Sequence, residues 1–192
     1  KAKYSVYDVI INDVPARDAI VQTKYGDVLP SSADLAGAGV ELIAMDDPNR
    51  RLAMALQSIR GDYDLIFIDC PPSLEMLTLN GLTAADGILV PVQCEYYALE
   101  GVSKLVNTVR QIKKGINPSL TLEGVLLTMY DGRLNLTLQV ADEVKKYFGD
   151  KVYKNVIPRN VRLCEAPSHG MPVTEYDRYS KVPEMWQRFY LF

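Results

Sequence analysis

The stretch Asp64-Leu65-Ile66-Phe67-Ile68-Asp69-Cys70-Pro71-Pro72-Ser73 decides how the rest of this chain is read. Apolar residues fill positions 65 to 68, an acid follows at Asp69, and a double proline stops the pattern. An unbroken apolar run of that length, bounded by turn residues, predicts a strand buried on both faces. Pro71 and Pro72 lack an N–H and restrict the residues before them, so the chain should leave the strand extended. Asp69 is then expected at the carboxyl end of a buried strand, the edge of open α/β sheets where ligands bind. The other reading of the same residue is a carboxylate that only caps the turn.

Further strands and helices alternate outward from this run. Downstream, Ser73 can cap a helix over Leu74, Leu77, Thr78 and Leu82, broken by Gly81 and ending near Ala85. Gly87 to Val92 predicts a second buried strand, and a long helix follows from about Tyr96 to Lys113-Lys114-Gly115. Thr121 to Tyr130 predicts a third strand, and Asp131-Gly132-Arg133 turns out of it. Val140, Val144, Tyr147 and Phe148 mark a helix stopping at Gly149, before a fourth strand from Val152 to Ile157 that Pro158 closes. From Pro158 to Pro172 the chain reads as a long polar loop, and the last residues as one short helix packing Met185, Trp186 and Phe189. Upstream, Ser5 and Asp8 are spaced to cap a helix over Val6 to Ile11, and Pro15 suits the first turn of another. Tyr25 to Pro30 reads as a short strand, Ser31-Ser32 and Asp34 as caps for a helix carrying Leu35, Val40, Leu42 and Ile43, and Leu52, Leu56 and Ile59 as a helix stopped at Gly61. Strands alternating with helices predict parallel βαβ units: an α/β protein with a doubly wound, mostly parallel sheet flanked by helices.

The composition fits one such domain over residues 1–192. A hydrophobic fraction of 48% and a charged fraction of 23% are ordinary globular values. A net charge of −3 gives no global basic field, so any nucleic-acid contact must come from a local patch. The 3 cysteines, Cys70, Cys94 and Cys164, are odd in number and far apart, which argues against a disulfide framework or zinc site and fits a reducing cytoplasm. No apolar run approaches the roughly 18 residues of a membrane span, and no leader pattern opens the chain. His169 is the only histidine, so a Ser/His triad would rest entirely on it.

The run at 62–73, then Leu79-Asn80-Gly81-Leu82, then Pro91-Val92-Gln93-Cys94-Glu95-Tyr96-Tyr97-Ala98-Leu99-Glu100-Gly101 resemble the ParA/Soj branch of the deviant-Walker (MinD/ParA) ATPases. Thr128-Met129-Tyr130-Asp131-Gly132-Arg133 and Val156-Ile157-Pro158-Arg159-Asn160-Val161-Arg162-Leu163, continuing into Glu165-Ala166-Pro167-Ser168-His169-Gly170, resemble it too. These blocks stand in the family's order and spacing from residue 4 to 176, and the resemblance implies a P-loop NTPase-like fold. The family's first strand and its K-G-G-V-G-K-T-T phosphate loop have no counterpart here, nor does its D-P-Q-G-N segment; Gly37-Ala38-Gly39 lacks the lysine and reads as close packing. The resemblance therefore implies a chain beginning about fifty residues into the family's domain, from the usual length of a βαβ unit, which by itself should bind ATP poorly and not hydrolyse it.

The resemblance also implies roles. Asp69 matches the Walker B acid, which holds a magnesium-bound water, a role suited to a carboxylate because a hard cation takes oxygen ligands. Pro72 and Ser73 lie in the switch segment that senses the γ-phosphate, with Cys70 a small buried neighbour rather than a nucleophile. Pro158 and Asn160 match the loop framing the adenine. Glu95 matches a residue reaching the nucleotide of the opposing subunit, or is simply an acid favoured at a helix start. Arg133 and Arg162 match two arginines that bind DNA without sequence preference, and guanidinium forks suit phosphate oxygens. Lys113, Lys114, Lys145, Lys146, Lys151 and Lys154 extend that field or form solvated faces.

The implied protein is a partition ATPase: an ATP- and magnesium-switched homodimer on non-specific duplex DNA, acting with a ParB/Spo0J-type partner and associated with the nucleoid in the cytoplasm. The alternatives are a MinD-type ATPase, using the tail 185–192 as a membrane-binding amphipathic helix, and a non-enzymatic ParA-like fragment. Without the family's first strand, the run at 65–68 would leave backbone groups unpaired at about 1–3 kcal/mol each. Its edge is therefore expected to pair with N-terminal residues, with a neighbouring chain, or with the strand at 88–92, the last two being the expected outcomes.

Overall fold

The computed structural model describes residues 2–71, 73, 75–95 and 98–178, which fall into two compact units. Pro72, in the switch segment, and the tail with Met185, Trp186 and Phe189 lie outside the described residues.

The first unit comprises residues 1–86 and 107–120. It opens with α1 (Val6–Ile11), where the sequence places it: the Ser5 N–H donates to Asp8 Oδ2 at 2.8 Å and the Ser5 hydroxyl to the same oxygen at 2.9 Å. Next come α2 (Ala16–Ala19) and an exposed antiparallel hairpin of β1 (Val21–Thr23) and β2 (Gly26–Val28). The helix expected after Ser32 is split into a 3₁₀ turn, Ala33–Ala36, and α3 (Ala38–Ile43). Then follow α4 (Arg51–Leu56) and α5 (Met76–Ala84). Val9, Ile10, Ala38, Leu42, Leu52, Leu56 and Ile59 form the core beneath these helices. Inside it, the Asn80 amide donates to the carbonyls of Pro48 at 2.8 Å and Met76 at 3.0 Å, while its oxygen accepts from Leu52 N at 3.1 Å. Both N–H donors of that buried side chain are met and its oxygen accepts one bond, which fixes the turn before α4 to α5.

The run at 65–68 is the main departure from expectation. It is irregular and open to solvent, with Leu65 70%, Ile66 39% and Phe67 79% exposed. Val9, Ile10 and Ile11 are spent in α1, and β3 pairs with β4 alone, so neither intrachain partner is used. Apolar content does not make a strand by itself. It needs a hydrogen-bonded ladder on at least one edge, and among the described residues neither edge has one.

The second unit comprises residues 87–106 and 121–192. β3 (Gly87–Gln93) runs parallel to β4 (Thr121–Thr128), joined by α6 (Ala98–Gly115), whose C-terminal half from Asn107 belongs to the first unit. The expected fourth strand accompanies β4 by bridges rather than a continuous ladder. Val125 pairs with Val152 and Tyr130 with Pro158, and Tyr153 N donates to Val125 O at 2.9 Å and Ile157 N to Leu127 O at 2.8 Å. β4 is buried from Gly124 to Leu127, as a central strand should be, whereas β3 alternates, burying Val90 and Val92 and exposing Leu89, Pro91 and Gln93. Pro91, expected to close β3, sits inside it, with its missing N–H costing no bond to β4. α7 (Asn135–Phe148) packs Val140, Ala141 and Val144 on this pair and stops at Gly149, whose φ of 55° a side chain would strain. The segment from Pro158 to Pro172 is not a loop: it holds α8 (Val161–Glu165) and a 3₁₀ turn, Ala166–His169, before α9 (Val173–Tyr176).

Candidate nucleotide and nucleic-acid site

In the first unit, Cys70, Pro71 and Ser73 are pinned to α5. The buried Thr78 hydroxyl bonds the carbonyls of Ser73 at 2.5 Å and Pro71 at 3.3 Å, and Cys70 Sγ packs on Gly81. Helix α5 starts after Glu75 rather than Ser73, and the carbonyl of Ser73 accepts from the Thr78 hydroxyl. Burial pushes the Cys70 thiol up, as it does Cys94, so neither is a thiolate nucleophile at neutral pH. Asp69 is exposed and makes no hydrogen bond or ion pair among the described residues. Its free oxygens fit a magnesium ion that keeps several waters and is otherwise held by phosphates. No group of three or more metal-ligating side chains exists among the described residues, so Asp69 is not part of an all-protein cage. A hollow of about 360 Å³ bordered by Arg50, Met54, Thr83 and Asn117 contains none of the residues nominated from sequence.

The second unit carries the other candidates. Met129, at φ 51°, turns the chain sharply out of β4. Tyr130 N then donates to Ile157 O at 3.0 Å, and Arg159 N to Tyr130 O at 3.1 Å. This bridge lays the turn at Asp131-Gly132-Arg133 beside the turn at Pro158-Arg159-Asn160, so one backbone pairing positions both arginine-bearing segments. Asn160 caps α8, its side-chain oxygen accepting from Arg162 N at 2.8 Å. Glu95 is exposed just past the end of β3.

Both nominated arginines are engaged. Arg133 donates from Nε and Nη2 to the two oxygens of Asp131 at 2.8 and 2.7 Å, and from its backbone N–H at 3.1 Å. The guanidinium bonded to Asp131 holds that carboxyl at about 2. Arg162 Nη1 donates to Glu165 at 2.8 Å and its Nε lies 3.6 Å from Asp177, while Tyr176 donates its hydroxyl to Glu165 at 3.2 Å. The Arg162 bond lowers the Glu165 carboxyl. Sequence reading assigned no role to Asp131, Arg159 or Glu165. The Arg159 charge also favours ionised Asp131, and the signal that would have found it is the parallel pairing of Tyr130 with Pro158.

Comparison with known proteins agrees with this architecture. A family model described as an AAA domain matches residues 1–122. Sporulation initiation inhibitor protein Soj of Bacillus subtilis is 55% identical over 183 residues, covering 94% of this chain and 72% of that protein. Chromosome partitioning protein ParA of Myxococcus xanthus is 49% identical over 184 residues, covering 95% and 65%. A crystal structure of cobyrinic acid a,c-diamide synthase from Mycobacterium smegmatis matches with a TM-score of 0.83 at 36% identity, covering 98% of this chain and 71% of that one. A crystal of that protein with bound ADP and magnesium matches with a TM-score of 0.77 at 40% identity, covering 84% and 66%. The parallel sheet with its helices is the α/β fold of the P-loop ATPases. Within that class, the chain belongs to the Soj/ParA family of chromosome-partitioning ATPases.

Proposed function

We propose that the two units are parts of one ParA/Soj-type ATPase domain, which as an ATP-bound homodimer holds duplex DNA without regard to sequence and answers to a ParB-type partner in the cytoplasm, on the nucleoid. The observation that carries the DNA reading is the Tyr130–Pro158 bridge, which sets the segments of Arg133 and Arg162 side by side at the carboxyl end of β4. Phosphate contacts of this kind position a protein on DNA and carry no sequence information. A single patch on an acidic chain is weak, and pairing two in a dimer raises avidity.

Nucleotide control falls to the other named residues. Magnesium, when bound with ATP, neutralises phosphate charge. Asp69 would hold one of its waters, and Pro72 and Ser73, the latter tied to α5 through its carbonyl, would respond to the γ-phosphate. Pro158 and the amide nitrogen of Asn160 frame the adenine, and Glu95 reaches the nucleotide across the dimer. The 192 residues contain no Gly-rich loop ending in Lys-Thr, so ATP turnover is assigned to the full-length protein and not to this stretch by itself.

The test uses the full-length protein with ATP and magnesium on duplexes of unrelated sequence. Arg133→Ala and Arg162→Ala should each weaken binding to all of them alike, and lower the slope of log affinity against log salt by about one. Undiminished binding by the double variant would remove both residues from the interface.

A further inference from the structure

We propose that Asp131 and Glu165 are built-in competitors of DNA phosphate, each occupying the N–H groups by which its arginine would grip the backbone. This rests on the DNA reading above. The two bonds from Arg133 to Asp131, at 2.8 and 2.7 Å, have the fork geometry that a guanidinium also makes with phosphate. The third bond, from Arg133 N at 3.1 Å, ties the carboxylate to the turn itself. Exposure separates the partners: the Arg133 side chain is 88% exposed and that of Asp131 18%. The carboxylate is therefore the fixed member and the guanidinium the one free to swing away.

Arg162 is likewise engaged by acids on an independent element, through a single bond rather than a fork. Glu165 takes its Nη1 at 2.8 Å and is itself held by the Tyr176 hydroxyl at 3.2 Å, with Asp177 completing the enclosure of Nε at 3.6 Å. Arg159, beside Asp131, makes no ion pair among the described residues. A phosphate approaching Arg133 or Arg162 must displace a carboxylate whose negative charge then stays close by. Each contact is oriented in advance but discounted in strength, so a lone patch falls short and several contacts must form together. The acids thus make binding depend steeply on the number of patches presented.

The experiment is DNA affinity of the full-length protein with ATP and magnesium, measured against salt on a duplex of arbitrary sequence. Asp131→Asn and Glu165→Gln should each tighten binding about two- to fivefold, the range an exposed ion pair can withhold. Each should also steepen the salt slope, by up to about one phosphate contact. In an Arg133→Ala background, Asp131→Asn should gain less than in the parent, because only the repulsion of phosphate by the carboxylate is then relieved. Asp131→Ser, which retains an acceptor for Arg133 N, should behave like Asp131→Asn and guards against loss of the turn. Weaker binding, or unchanged affinity and slope, in variants that unfold normally and whose parent loses binding on Arg133→Ala would overturn the proposal and make the acids mere positioning groups. Binding that survives Arg133→Ala with Arg162→Ala would overturn the DNA reading, and this proposal with it.

Discussion

Cys70 Sγ stands 2.5 Å from the point where a Cβ on Gly81 would lie. Gly81, which the sequence suggests as a helix break, is instead an interior position of α5 left bare so that Cys70 can lie against the helix. Gly81→Ala gains about 0.5–1 kcal/mol of helix propensity and loses about 1–3 kcal/mol to overpacking. A net loss of about 1 kcal/mol is expected in denaturant unfolding of the full-length protein. Cys70→Ala removes the clashing sulfur and should restore the stability of Gly81→Ala. If the double variant is no better than Gly81→Ala, the contact is not what keeps the glycine.

Asn117 offers a sharper test of polar satisfaction. Its amide donates to the carbonyls of Ala85 at 2.8 Å, Leu82 at 3.1 Å and Thr83 at 3.3 Å, closing the end of α5 from the turn after α6. Asn117→Asp keeps the shape and turns the donor into an anion facing three acceptors. At neutral pH it should cost about 3–5 kcal/mol, as an unpaired buried charge does, against about 1–3 kcal/mol for Asn117→Ala. The introduced carboxyl has a raised folded pKa, so its penalty grows as pH rises from the unfolded value near 3.9 and is absent below it. Urea unfolding at pH 3.5 and 7.5 would show the two variants converging only at the lower pH; a constant gap would refute the account.

Asp131 has the opposite sign. Its folded carboxyl is held at about 2 by the Arg133 bonds, below its usual 3.8. Its contribution is therefore complete above pH 4 and disappears as pH falls from there through 2. A carboxyl ¹³C titration should place it near 2, returning toward 3.8 in Arg133→Ala. DNA binding should accordingly owe no pH dependence between 5 and 8 to this acid, and a midpoint above 3.8 would show that the pair is not formed in solution.

Strong periodic segments were legible from residues alone: β3, β4, α6 and α7 lie where spacing puts them, and the Ser5–Asp8 cap is present as read. Strand β2 lies inside the run read as a strand at Tyr25 to Pro30, but its partner β1 was not legible, because every residue in it is exposed and no alternation marks it. Pro158 to Pro172 misled through its polarity and prolines, since α8 is set by one side-chain cap from Asn160 rather than by an apolar stripe. The run at 65–68 misled in the other direction, its composition saying strand while pairing decides. Of the site, Arg133 and Arg162 could be nominated singly, and their carboxylates at Asp131 and Glu165 are near neighbours in sequence, whereas the approach of Tyr130 to Pro158 and the Tyr176 bond to Glu165 appear only in the fold.

Leu65 and Phe67, displayed to solvent without a charge between them, also set how a cell would treat this polypeptide. Short extended apolar segments are what chaperones bind and what quality-control proteases use as a handle, and low charge with high β-propensity is the signature of a segment that nucleates aggregates. Concealing Leu65, Ile66 and Phe67 would remove that signature from the surface.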